Sequence, residues 1–271
     1  MRLIVNADDF GLCKGVNLGI VEAHKNGIVT STTLMVTMNE VDHALNLAKN
    51  YPNLGIGLHL NCTLGKPLTN CKSLLKENGE FYKPKEKPNQ ELFDEEELYQ
   101  EFLAQYNKFI ALVGRKPTHI DSHLYAHQIY EKAKKVAIRL ANEFDIAIRE
   151  FQVNNFEQVS FIGTFKCLDN MDYNKVKEDL ISEESVIKKY ELAELMCHPA
   201  YIDRYLFETS SYAKGRIVEL DILTSNEVKE FIKNNKIELI NYSNTRILKR
   251  INSKYSFEGL ILKLRFFGHL M

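Results

Sequence analysis

The chain has 271 residues, 45% of them hydrophobic and 26% charged, enough apolar material for a sizeable core, which excludes a disordered chain, a fibre or a disulfide-stapled mini-domain. Thirty-five basic residues face 36 acidic ones, a net charge of −1, so total charge gives no reason to expect nucleic acid as a partner. Five cysteines, Cys13, Cys62, Cys71, Cys167 and Cys197, form no C-x-x-C pair and are odd in number, which speaks against a disulfide framework or a thiolate zinc cluster and for a reducing, cytoplasmic setting.

Short apolar runs alternate with amphipathic segments along the chain, the pattern of parallel strands joined by crossover helices. The first run, 2–7, is cut short by Asp8 and Asp9 and reads as a strand, not as a signal peptide. Val16, Ile20 and Ala23 then share a helical face that stops at Asn26-Gly27. A second strand is expected at 32–37, a helix carrying Val41, Ala44, Leu45 and Ala48 before Tyr51-Pro52, and a third strand at 55–60.

The stretch 62–89 breaks the rhythm with Pro67, Pro84, Pro88, Gly65 and Gly79, and reads as an excursion of the kind that serves as a lid, a substrate wall or surface decoration. Its Phe81 and Tyr82 are of a kind that stacks on sugars, although packing is the expected role of each. Acids at Glu91 and Asp94 to Glu97 suit the positive end of a helix dipole, and the stripe Leu98, Phe102, Phe109, Ile110 and Val113 continues that helix to Gly114. Strands at 118–123 and 145–149 flank a helix with Val136, Leu140 and Phe144 on one face. Further strands are expected at 192–197 and 236–241, with a capping box of Thr224 and Glu227 opening a helix between them. The sum is a single α/β domain of about seven strands, and no apolar run approaches the roughly 20 residues that span a membrane.

Unusual polar residues collect at the C-terminal ends of these strands, where parallel α/β folds build active sites. Asp8 and Asp9 would repel each other unless a cation or hydrogen bonds offset the charge. His59 ends the third strand, after Gly55-Ile56-Gly57-Leu58. Three histidines and an acid fall within nine residues at His119, Asp121, His123 and His127, and in a strand the first three share a face. His123 has the character of a metal ligand whose ring a nearby acid orients. His198, between Cys197 and Pro199, suits a general acid, and Arg149 suits holding Asp8 or binding substrate.

These residues lie in blocks whose order and spacing are similar to the carbohydrate deacetylases of the YdjC-like family, relatives of chitin-disaccharide deacetylase. The blocks are Val5-Asn6-Ala7-Asp8-Asp9-Phe10-Gly11, the run from Gly27 to Thr33, Gly57-Leu58-His59, the run from Gly114 to His123, Met196-Cys197-His198-Pro199-Ala200 and the run from Glu219 to Ser225. The resemblance implies an irregular TIM-like (β/α) barrel that removes acetyl groups from N-acetylated oligosaccharides with the help of a divalent metal. It assigns Asp9, His59 and His123 to the metal, Asp8 to the base and His198 to the acid. Tyr125, His127 and Arg149 are expected against substrate. Leu124 and Tyr125 stand where the family is often richer in histidine. The family is usually described with Mg2+, whereas two imidazoles and a carboxylate suit Zn2+, Mn2+ or Fe2+. Two rival readings use the same residues: a metal-dependent phosphate ester hydrolase, and a sugar-binding protein without turnover.

A domain over residues 1–245 is followed by the extension 246–271, where six basic residues and one acid give +5 around an apolar pattern. Subtracting that +5 from −1 leaves −6 for the body, and the extension is expected to pack on the barrel or on a partner in a homodimer.

Overall fold

The computed structural model describes residues 1–84, 86, 93–168 and 171–247; the extension from 248 onward, and with it most of the basic amphipathic segment, lies outside the described residues. Eight strands form one parallel sheet: β1 Arg2–Phe10, β2 Ser31–Leu34, β3 Gly55–Leu60, β4 His119–Ser122, β5 Ala147–Ile148, β6 Ser160–Ile162, β7 Leu192–Cys197 and β8 Glu238–Ile240. The order across the sheet is β5-β4-β3-β2-β1-β7-β6. β1 is central. Residues Arg2 to Ala7 pair with β7 on one side, while on the other β8 takes Arg2 to Ile4 and β2 takes over from Asn6.

The sheet curls into an open barrel that β5 and β6 bound, and helices surround it. Side chains bridge the gap between the two edges: the Arg149 guanidinium, just after β5, lies 5.2 Å from the ring of Phe161 in β6. One buried apolar cluster runs from Leu3 to Tyr242, so the described residues form a single domain. Burial on both faces explains why most strands read as unbroken apolar runs. β6 has three residues, of which only Ile162 is fully buried, and offered no comparable run to the sequence reading.

The helices are α1 Lys14–Lys25, α2 Val41–Ala48, α3 Glu95–Val113, α4 Ala126–Ile129, α5 Glu131–Phe144, α6 Tyr173–Ile181, α7 Arg204–Thr209, α8 Ala213–Thr224 and α9 Asn226–Asn234. The acidic run does open α3: Asp94 caps it by accepting the N–H groups of Glu96 and Glu97, and Gly114 ends it at φ 75°. The expected cap at Thr224 is displaced by one residue. Ser225 accepts the Val228 N–H and caps α9, while the Thr224 hydroxyl donates back to Leu220 O within α8. No helix among the described residues is long and apolar enough to cross a membrane.

The excursion after β3 is fastened to α3 by buried polar groups. Glu101, fully buried, accepts the N–H groups of Leu68 and Thr69 and the Thr69 hydroxyl. Gln105 both donates to and accepts from the Asn61 backbone, and Glu97 accepts the Ser73 N–H at 2.7 Å. This half of the excursion is a fixed wall beside the barrel mouth, and Phe81 packs into it, buried. Residues 85 and 87–89, the remainder of the expected lid, lie outside the described residues.

Candidate active site

Consecutive side chains of a regular strand point to opposite faces, so Asp8 and Asp9 could not both face the barrel interior without a break in the pleat. The break is a bulge. Register between β1 and β2 shifts between Ala7 and Phe10, and Asp9 adopts φ 72°, a left-handed conformation uncommon outside glycine. Both carboxylates are thereby buried against the interior, at 3% and 1% exposure. The strand thus continues through the acids instead of stopping before them.

Asp9 faces two imidazoles through one oxygen: Oδ1 lies 2.8 Å from His123 Nδ1 and 3.3 Å from His59 Nε2. One donor atom from each of Asp9, His59 and His123 falls within 4.8 Å of the others. The acid that orients a ring is Asp121, but it acts on His59 and not on His123. Asp121 Oδ1 is 2.6 Å from His59 Nδ1, and its Oδ2 accepts from the Thr33 hydroxyl at 2.9 Å. This leaves His59 Nε2 directed at Asp9, and it follows from β3 and β4 pairing His59 with Asp121 in register.

Beneath lies a fully enclosed guanidinium. Arg149 donates through Nη1 and Nη2 to both oxygens of Asp8, at 2.9 and 2.6 Å, and its Nη2 lies 2.8 Å from Asp121 Oδ2. Its Nε donates to Glu194 at 2.8 Å, and Glu194 in turn accepts the Tyr242 hydroxyl. Of the two roles expected of Arg149, holding Asp8 is the one it fills; with 1% exposure and three carboxylates around it, no nitrogen is left over for substrate.

The other histidines part company. His198 follows β7 and lines the cavity, with its backbone N–H donating to Glu219 and its ring edge-on to Tyr212 at 5.9 Å. His119 is fully buried deeper in the barrel, stacked on Tyr242 at 4.0 Å. His127, expected against substrate, does not line the cavity: it sits on α4, fully buried against Ser122 and Phe151. Tyr125 does line the cavity, beside Leu124, and both adopt positive φ. The cavity above the site measures about 1080 Å³, at the top of the roughly 300–1,000 Å³ usual for small-molecule sites. Tyr205, Tyr212, Met196 and Phe81 belong to its lining as well.

The model of the YdjC-like protein family matches residues 2–234. The chain belongs to the YdjC-like family. It is 44% identical over 248 residues to carbohydrate deacetylase 2 of Listeria innocua, covering 89% of this chain and 98% of that protein. It is 39% identical over 255 residues to the chitooligosaccharide deacetylase of Yersinia enterocolitica, covering 89% and 98% of the two chains. A crystal structure from Enterococcus faecalis V583, provisionally assigned to cellobiose-phosphate cleavage, is 33% identical with a TM-score of 0.77, covering 91% of this chain and 99% of that one.

Charge in this YdjC-like site is finely opposed. Burial alone would raise Asp8 and Asp9, yet Arg149 holds the Asp8 carboxyl, and Arg216 with His123 the Asp9 carboxyl, well below the ordinary range. Both stay ionised at neutral pH. Burial opposes the charge on His59 too, but Asp121 and Asp9 outweigh it and push its pKa up to about 10, so the metal-free protein keeps an imidazolium where a cation is wanted. His198 departs from the near-neutral value that a ready-made general acid would have: burial and then Arg216 push it down to about 4.

Two imidazoles and one carboxylate fit a divalent ion, once His59 gives up its proton. The donor set suits Zn2+, Mn2+ or Fe2+ better than Mg2+, which favours oxygen ligands. The second acidic group, Asp8 with His59 and Asp121, already has Arg149 as its cation.

Sequence reasoning missed Arg216, Glu219 and Glu194. Glu194 had a visible signal, an acid inside the apolar strand Leu192–Cys197. Glu219 opened one of the blocks shared with the family but was given no role, and Arg216 had no signal, because it turns inward from α8 and blurs its amphipathic pattern.

Proposed function

We propose that the chain is a metal-dependent carbohydrate deacetylase that hydrolyses the amide of N-acetylated sugars to a free amine and acetate. The observation that carries this reading is the division of labour between adjacent acids: Asp9 faces two imidazoles while Asp8, held by Arg149, faces the same cavity as a separate carboxylate. The names of the deacetylases of Listeria and Yersinia support the choice of substrate.

Asp9, His59 and His123 would hold the ion, which when bound supplies Lewis acidity toward water and the amide carbonyl. Asp8 accepts the proton of the attacking water. Arg149 and Asn6 occupy part of its lone pairs and fix its plane, and its low proton affinity makes it a transient carrier that passes the proton on. His198 starts neutral and is loaded within the cycle, as negative charge gathers on the reacting carbonyl and raises its pKa. It then protonates the leaving nitrogen, which departs as an amine. Tyr125, Tyr205 and Tyr212 offer rings to the sugar faces.

A phosphate-ester hydrolase would favour basic residues free to meet phosphate, whereas Arg149 is enclosed by three carboxylates. A homodimer in the cytoplasm belongs to the same proposal and is checked by light scattering of the purified full chain. The function itself is tested by incubating metal-loaded protein with N-acetylglucosamine oligosaccharides and measuring acetate. Release that stops in Asp8→Asn supports the reading, and phosphate release from phosphate esters without acetate release would replace it.

A further inference from the structure

Arg216 sits in the first turn of α8, and nothing in the reaction outlined above uses it. Gly215 seats it there: a Cβ at that position would lie 2.3 Å from the backbone oxygen of Cys167, so only glycine lets α8 come this close to the loop after β6. The side chain is 7% exposed and spends one nitrogen, Nη2, on Asp9 Oδ2 at 2.6 Å. Its Nε and Nη1 are buried without hydrogen-bond partners. A buried guanidinium with two unpartnered nitrogens is a poor device for stability, since apolar side chains of similar volume commonly do as well or better.

Its effect falls on Asp9. Arg216 takes Oδ2, and the two imidazoles face Oδ1. Carboxylates bind divalent ions through one oxygen or through both, and a second oxygen fills a position that water or the amide would otherwise take. We propose that Arg216 is a positioning residue that makes Asp9 a one-oxygen ligand, locking Oδ2 away from the ion and keeping coordination positions open. The bulge at Asp9 aims the carboxylate at both elements at once, and the guanidinium selects which oxygen each receives. This rests on the metal-binding reading of Asp9, His59 and His123.

The test is titration of Co2+ alone into the metal-stripped full-length chain, followed by visible absorption, whose ligand-field bands are intense at low coordination number and weak at six. The wild-type protein gives intense bands. Arg216→Met and Arg216→Gln free Oδ2 to chelate, and their bands lose intensity and shift; Arg216→Lys, which keeps a cation on α8, recovers part of the intensity. Melting followed by circular dichroism confirms that each variant is folded, and two neutral variants keep the test open if one is not. Spectra of both neutral variants that match the wild type would overturn the role of Arg216 while leaving the metal site standing. Failure of the wild type to bind Co2+, or binding unaffected by His59→Ala with His123→Ala, would instead overturn the metal reading and the proposal with it.

Discussion

Replacing Asp121 by Asn separates the orientation of His59 from the presence of its ligand atom. Asp121 accepts from His59 Nδ1 at 2.6 Å and from the Thr33 hydroxyl at 2.9 Å, and its Oδ2 is ion-paired with Arg149 Nη2 at 2.8 Å. Asn offers one accepting oxygen and an NH2 group. If its oxygen faces His59, the NH2 meets Arg149 and Thr33; flipped, it meets the imidazole N–H. Either way a buried donor is left unmatched, costing about 1–3 kcal/mol of stability, or a fall in Tm of about 2–10 °C for a domain of this size. Removing the partner that orients a metal-bound histidine typically lowers metal affinity 10–100-fold, about 1.4–2.7 kcal/mol. Isothermal calorimetry with Zn2+ on metal-stripped protein, beside a thermal melt, measures both. A variant with the expected Tm loss but wild-type Zn2+ affinity would refute the claim that Asp121 sets the His59 ring for a metal.

Metal binding must expel the His59 proton, so affinity rises as pH climbs from 6.5 toward 10 and, near pH 8, about one proton leaves per ion, measured by calorimetry in buffers of different ionisation enthalpy; pH-independent affinity would contradict this. By the same linkage the raised His59 pKa stabilises the metal-free protein fully below about 6.5, a contribution lost as pH rises through 10, so metal should add most to the Tm at alkaline pH. Burial pushes Glu219 up to about 7 against the Tyr212 hydroxyl and His198 N–H that stabilise its charge, so its contribution is full below pH 4.5 and lost as pH rises through 7. Glu219→Gln should remove a pH-dependent difference on the order of 3 kcal/mol in urea melts, and parallel curves for the two proteins would speak against it. Glu101→Ala strips the acceptor from Leu68 and Thr69, which should cost about 1–3 kcal/mol and speed limited proteolysis near residues 66–70; an unchanged cleavage rate would show that the wall does not depend on Glu101.

Much of this site was legible because strands announce themselves by hydropathy and their ends by the polar residues that follow. Strand-end polarity put Asp9, His59 and His123 among the candidates, the family resemblance named them as one metal-binding set, and the structure brings them together. What could not be read is how two neighbouring acids face the same way, since that depends on a bulge and one left-handed residue. Clustering in sequence also overstated the histidines: the fold puts His119 below the mouth, His123 at it and His127 on α4, turned away from it. Arg149 was legible as a choice between two partners, and burial decided between them. Arg216, and the role of Glu219, escaped because charged residues turned inward from a helix look, in sequence, like a solvated face.

The central claim is that Asp8 and the Asp9, His59, His123 group together perform metal-dependent deacetylation. Its most direct test is mass spectrometry of a mixed panel of N-acetylated oligosaccharides after incubation with metal-loaded wild-type protein, with chelator-stripped protein, and with Asp8→Asn and His123→Ala. The account predicts loss of acetyl groups, with matching acetate, in the metal-loaded wild type alone. Equal loss in the stripped protein or in both variants would contradict it.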